Sequence, residues 1–189
     1  MKLERGAYGY IREKKKNQLI GLVLMVVLGI GIFVAGLLLN KMSKANVFTV
    51  AAVLCVLPGA NYLTKFVVLF PYHTPKKEWY DKVKSMISQD MVLFCDMVIT
   101  SSEKVMNLDF IVVSDNSVIG LVGRKGQDVS YINQYLTKGV RNWGSGYRVK
   151  ICDTYESFIK EMKKVTRQES TRQSEEKEEV LSYIRSLVV

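Results

Sequence analysis

Two uncharged stretches dominate the hydrophobic pattern of this chain. No charged residue falls between Asn17 and Asn40, and Leu19–Leu39 is a run of Leu, Val, Ile, Met, Gly, Ala and Phe. A helix rises about 1.5 Å per residue and a bilayer core is ~30 Å thick, so this run is long enough to span. A second uncharged run covers Ala45–Thr64 and continues past Lys65 into "FVVLF" at 66–70. The pattern predicts two transmembrane helices, 19–39 and 45–70. The second is expected to kink at Pro58, because proline withholds a backbone donor. Gly21, Gly29 and Gly36 would let the first helix approach a neighbour closely.

Beyond residue 73 the pattern shortens. Thr74-Pro75 reads as a helix start, a capping hydroxyl followed by proline at the first helical position. Trp79, Val83, Met86 and Ile87 carry its apolar stripe to about Gln89. Segments 91–100, 104–114 and 118–125 read as strands, separated by the turns Ser101-Ser102-Glu103 and Asp115-Asn116-Ser117. Their near-continuous apolar character predicts burial on both faces.

Gly126-Gln127-Asp128 is expected to cap a helix over 129–142 that buries Val129, Ile132, Leu136 and Val140. "GSG" at 144–146 ends it, and "YRVKIC", 147–152, is a fourth strand. Asp153 or Thr154 caps a further helix striped by Tyr155, Phe158, Ile159, Met162 and Val165. A polar stretch then leads to a last helix, with Ser174 as its N-cap and Val180, Leu181, Ile184 and Leu187 as its apolar stripe.

The expected class is an α+β membrane protein: a transmembrane helical hairpin followed by a small cytosolic α/β domain of order αβββαβα. The expected divisions are a basic cytosolic N-terminus (1–18), spans at 19–39 and 45–70, the α/β domain (74–165), and a polar linker with a mobile C-terminal helix (166–189).

Charge sets the expected orientation. Residues 1–17 carry Lys2, Arg5, Arg12, Lys14, Lys15 and Lys16, whereas the connector 40–44 has only Lys41 and Lys44. Lys65, Lys76, Lys77, Lys82 and Lys84 follow the second run. By the positive-inside rule this predicts a multi-pass protein of the plasma membrane with both termini cytoplasmic. Ser43-Lys44-Ala45 imitates a signal-peptide cleavage site, but the apolar run is too long for a signal core and a second span follows at once.

The formal charge of +9 invites a nucleic-acid reading, yet its location argues otherwise. Nine of the 27 Lys/Arg and only two of the 18 Asp/Glu fall within residues 1–70. Most of the basicity is therefore topogenic, with the lipid bilayer as its partner. Cys55, Cys95 and Cys152 form no C-x-x-C, and His73 is the single histidine, so no zinc site and no cofactor is expected.

One hairpin carries candidate chemistry. "NLDFIVVSDNSVIGLVGRK", 107–125, places Asp109 on the second strand and Arg124-Lys125 at the end of the third. Together with the element order over roughly 75–152, this resembles the restriction-endonuclease-like superfamily, in particular its nuclease-related (NERD) type, often found beside membrane segments. In that family an Asp on the second strand and Glu-x-Lys on the third hold a divalent metal at the scissile phosphate. Asp109 matches the aspartate. The glutamate position falls near Val122 and the lysine near Arg124, with Lys125 one position off.

Glu78 would be a further carboxylate. The resemblance thus offers Asp109, Glu78 and Lys125 as catalytic candidates. It implies either an inactive relative or a Mg-dependent nuclease with a rearranged site.

Arg124, Lys125, Lys138, Arg141, Arg148 and Lys150 lie around the ends of adjacent elements. They are candidates for an anion-binding patch for nucleic acid, a phosphoinositol-like headgroup or a nucleotide, weighed against a scattered solvated surface. Lys138 and Arg141 share a helix face, whereas "GRKGQD" lacks the spacing of a nucleotide-binding P-loop. The expected function is a membrane-anchored, non-catalytic recognition or scaffold protein that presents its domain to a partner protein or anionic ligand. The alternatives are the tethered nuclease and a small accessory subunit of a membrane complex.

Overall fold

A computed structural model describes residues 3–40, 43, 46–144, 146–166 and 174–188. The connector lysines Lys41 and Lys44, the last two residues of the cleavage-like Ser43-Lys44-Ala45, Ser145 of "GSG", most of the polar linker and the side chain of Ser174 lie outside the described residues. The chain divides into two compact units, Arg12–Pro71 and the remainder, Met1–Ile11 with Tyr72–Val189.

The first unit is a helical hairpin. Helix α1 runs Tyr10–Leu39, so it begins well before the apolar run and takes in the basic residues at 12–16. The second run forms two helices, α2 (Val47–Leu54) and α3 (Val56–Leu69). By length and composition α1 and the continuous stretch Val47–Leu69 can each cross a membrane.

The helical ladder of the second run is interrupted near the proline. Helical pairing breaks at Cys55, and Pro58 is the third residue of α3. Pro58 has no N–H to offer Leu54, so the ladder fails one turn before the proline. Asn46 caps α2, its Oδ1 accepting from the Thr49 N–H at 2.9 Å.

Small residues set the hairpin's contact line. A Cβ at Gly36 would strike Phe48, one at Gly29 would meet Cys55 at 3.5 Å, and one at Gly21 would lie 2.6 Å from the Tyr62 ring. The pairings descend α1 as they ascend the returning helices, so the two arms run antiparallel. At the open end Lys15 Nζ donates to the Phe70 carbonyl at 2.8 Å, filling an acceptor that the end of α3 leaves over.

The second unit is a four-stranded sheet of order β1-β2-β3-β4, formed by Val92–Thr100, Val105–Val113, Ser117–Val122 and Arg148–Cys152. The first three strands form an antiparallel meander, and β4 joins β3 in parallel through helix α5 (Val129–Arg141). Three more helices pack around the sheet: α4 (Lys77–Ser85), α6 (Tyr155–Thr166) and α7 (Ser174–Ser186).

Both sheet faces are covered. One core joins Met97, Leu108, Ile111 and Val118 to Ile132, Leu136 and Val140 of α5 and to Val180, Leu181 and Ile184 of α7. The other joins Cys95, Phe110, Val112 and Leu121 to Val83 of α4 and to Phe158, Ile159 and Met162 of α6.

The structure amends four expectations in this unit. Helix α4 is shorter than 74–89, and Thr74 does not cap it, since Lys76 holds the N-cap position without a side-chain bond. Strand β3 stops at Val122, so Arg124 and Lys125 lie in the turn that follows. Thr154 rather than Asp153 leads α6, its Oγ1 accepting from Ser157 N–H at 3.4 Å. The C-terminal helix is part of the core, with Val180 and Ile184 fully buried and Val188 bridging Ile99 on β1.

Candidate functional site

The sheet is irregular at one place, and two carboxylates stand there. Cys95 pairs with Phe110 and Met97 with Leu108, which sets Asp96 of β1 across from Asp109 of β2. On its other side β2 slips by one residue against β3, since Leu108 pairs with Val122 and Phe110 with Leu121. Asp109 is the extra residue of that bulge, and a bulge re-aims the side chain it carries. Asp96 has φ +53°, the one non-glycine residue in the left-handed region among the described residues. Aspartate tolerates that conformation better than most residues, because its short side chain hydrogen-bonds locally.

Both carboxylates are shut in: Asp96 is 0% exposed and Asp109 7%. Asp96 Oδ2 accepts from the Thr74 hydroxyl at 2.9 Å and from the Ile11 N–H at 3.3 Å. Burial first, and then the Asp96 charge, push the Asp109 carboxyl up to about 7. Burial, Asp96 and Asp109 likewise push the Cys95 thiol up to about 12, which favours its protonated form.

Asn107 and Gly123 complete the site. Asn107 is 2% exposed, and its Nδ2 donates to the Met97 carbonyl at 3.3 Å. A Cβ at Gly123 would collide with Asn107 Oδ1 and Asp109 Oδ1, so only glycine leaves room for both oxygens. Beyond the end of β3, the Gln127 amide continues the sheet. Its Oε1 accepts from Asn107 N–H and its Nε2 donates to Asn107 O, each at 2.8 Å. Asp128 then caps α5 by accepting from Tyr131 N–H at 2.9 Å.

The sequence-derived candidates are scattered. Val122, at the family's glutamate position, sits with Leu108 in the core under α5 and α7, whereas Asp109 turns to Gly123. Glu78 is exposed in the first turn of α4. Lys125 and Arg124 are exposed in the turn after β3. Among the described residues, no group of three or more His, Cys, Asp or Glu could hold a metal ion.

The six cationic candidates divide into pairs. Arg124 and Lys125 follow the end of β3, while Arg148 pairs with Ser117 at its start. Arg148 and Lys150 both act on Glu161 of α6, which Arg148 reaches at 3.9 Å and Lys164 at 2.6 Å. Lys138 and Arg141 border a polar hollow of about 410 Å³ on α5, with Asn133 and Thr137 among its walls.

Sequence reasoning missed Asp96, Asn107, Gly123 and Gln127. Two signals were present: an aspartate in the middle of the apolar run 91–100, and the polar pair Asn107/Asp109 two residues apart on one strand. Compared with known proteins, the chain matches no protein-family model, no curated protein and no solved structure.

Proposed function

We propose that this chain is a membrane-anchored recognition protein, whose α/β domain holds a protein partner at the cytoplasmic face and performs no chemistry of its own. The observation that carries the proposal is its two-part build. The outward side chains of the hairpin are apolar along its length, with Val27 63%, Leu38 72% and Val47 82% exposed. Such a surface is costly in water and suits a hydrocarbon surround. The basic residues flanking the hairpin favour both termini on the cytoplasmic side.

The domain is read as an inactive relative of the restriction-endonuclease-like superfamily. Asp109 supports the kinship, and Val122, a buried core residue where a metal ligand would stand, supports the loss of activity. The cationic residues divide among three places, which favours a protein partner over a single polyanion site.

Affinity capture of the full chain from its native membrane after mild crosslinking tests the proposal, with a specific, stoichiometric protein as the expected result. A chain recovered alone at every crosslinker dose would overturn it. The nuclease reading has its own test: full-length protein incubated with Mg²⁺ or Mn²⁺ and DNA or RNA. Cleavage that disappears in Asp109→Ala would replace recognition with catalysis.

A further inference from the structure

The second arm of the hairpin carries a polar group that nothing within the chain satisfies. Asn61 is the single Asn or Gln in the two apolar stretches, 19–39 and Val47–Leu69. It is exposed, and among the described residues its carboxamide has no hydrogen-bond partner. Its polar neighbours are provided for. Thr64 Oγ1 donates to Ala60 O of its own helix at 2.9 Å, and Lys65 has a stem long enough to carry its charge to a membrane boundary. Asn61 has a single methylene and stays at the depth its backbone sets. It stands three residues past the middle of Val47–Leu69, about 4–5 Å from the centre of a ~30 Å hydrocarbon core.

Asn61 faces away from α1. Cys55 lies against Gly29, Gly59 against Met25 and Tyr62 against Gly21, which fixes the side of the arm turned to α1. At about 100° per residue, Leu57, Asn61, Thr64 and Val68 fall on the opposite side, and all four are exposed. Their spacing of four, three and four is the repeat by which helices pack along a shared seam. A carboxamide unpaired in hydrocarbon is costly, and a hydrogen bond to a neighbouring helix relieves it. The chemistry of this face favours its own copy. A carboxamide both donates and accepts, so two of them close a reciprocal pair. Two copies inserted in one orientation hold Asn61 at one depth, and a two-fold axis along the membrane normal brings it onto itself. A single Asn within an apolar seam sets the register of identical helices in the same way.

We propose that a second copy of this chain packs in parallel along Leu57, Asn61, Thr64 and Val68, with the two Asn61 carboxamides hydrogen-bonded to each other. The proposal rests on the membrane reading above and adds a self-contact to it. The seam lies on the face of α3 opposite α1, so pairing leaves the contact between the two arms of each hairpin in place.

The test uses full-length protein, labelled with donor or acceptor fluorophores and reconstituted in phosphatidylcholine–phosphatidylglycerol vesicles of increasing lipid content. Energy transfer should follow a monomer–dimer curve. Asn61→Leu should move its midpoint to a protein-to-lipid ratio at least roughly threefold higher, and Asn61→Gln, which keeps the carboxamide, should recover part of that loss. In a Cys55→Ala background, oxidation should link Leu57→Cys and Thr64→Cys variants into dimers. Leu63→Cys should stay unlinked, because Leu63 lines the groove shared with Leu22 and Met25 of α1. A monomer at every dilution, an unchanged midpoint in Asn61→Leu, or linkage chiefly through Leu63→Cys would overturn the proposal. A monomeric purified chain whose capture of another membrane protein is lost in Asn61→Leu would give the face to that protein instead. Release of the chain from vesicles by alkaline carbonate would sink the membrane reading, whereas a retained monomer sinks this inference alone. A dimer that captures no other protein from its native membrane would keep the inference and remove the recognition reading.

Discussion

The Thr74 hydroxyl donates to Asp96 Oδ2 at 2.9 Å, and the Ile11 N–H reaches the same oxygen at 3.3 Å. Ile11 is the last residue of the sheet-bearing unit before the hairpin, and Thr74 follows it closely on the way back. One buried carboxylate thus ties both chain segments that border the hairpin to the edge strand β1. Gly6 O adds a backbone bond to Cys95 N–H at 2.6 Å, and Tyr8 stacks on Tyr80 with ring centroids 4.3 Å apart.

Removing the hydroxyl should be costly out of proportion to its size. Thr74→Val keeps the side-chain shape but deletes a charge-assisted bond to a fully buried carboxylate, so a loss of about 1.5–3 kcal/mol is expected. Urea unfolding of the detergent-solubilised chain, followed by Trp79 and Trp143 fluorescence, measures it. A change within about 0.5 kcal/mol, the range of an ordinary surface substitution, would contradict the clamp.

Asp109 predicts a pH dependence of definite sign. Its carboxyl is raised from 3.8 to about 7 in the folded domain, so folding takes up a proton between those values. Its contribution to stability is complete below the unfolded value and is lost as pH rises through the folded one. Asp109→Asn removes this dependence. The variant should match wild type near pH 4, gain on it between pH 4 and 7, and hold a constant advantage above. That advantage is expected to approach, at most, roughly 4 kcal/mol. Parallel stability curves for the two proteins across this window would show that the carboxylate is not buried as described.

The two long apolar helical stretches and the strands were legible because apolar runs declare themselves by length and composition. What escaped the sequence were competitions decided in three dimensions. Thr74-Pro75 is a sound local helix start, but a buried carboxylate 22 residues away claims the hydroxyl. β3 looked longer because Gly-Arg-Lys follows it without a strong breaker. Its end is set by the Gln127 side chain, which takes the place of a strand partner beside Asn107. α7 carries only a narrow stripe, which suggested an independent helix, yet it shares with α5 the cover of one sheet face. The resemblance drew attention to Asp109 but not to Asp96, because a bulge and a left-handed aspartate leave no periodic trace.

The hairpin makes a paired prediction about two helix glycines. A Cβ at Gly36 collides with Phe48, whereas one at Gly31 meets nothing within 4 Å. Gly36→Ala should therefore destabilise the hairpin by about 1–3 kcal/mol through forced separation of the arms. Gly31→Ala should leave it unchanged or stabilise it by about 0.5–1 kcal/mol, because alanine loses less backbone freedom in a helix. An SDS titration of the detergent-solubilised protein, read by helical ellipticity, compares the two. Equal effects would mean that intrinsic helix propensity, and not close approach of the arms, governs both positions.

The last helix is held by a polar clasp as well as by its apolar stripe. Lys177 Nζ lies 2.7 Å from Asp115 Oδ1 and donates to Asp90 O at the same distance. The two side chains are only 17% and 15% exposed, so the pair is shielded more than a surface ion pair is. Lys177→Ala is expected to cost about 1–3 kcal/mol, and because Val180, Leu181 and Ile184 stay in place the loss should fall on α7 itself. Hydrogen exchange would then accelerate roughly tenfold or more in α7 amides, while β2 amides keep their protection. Asp115→Ala combined with Lys177→Ala should cost less than the sum of the single changes, since the two residues share one interaction. Exact additivity would instead assign the hold on α7 to its apolar stripe and to Asp90 O.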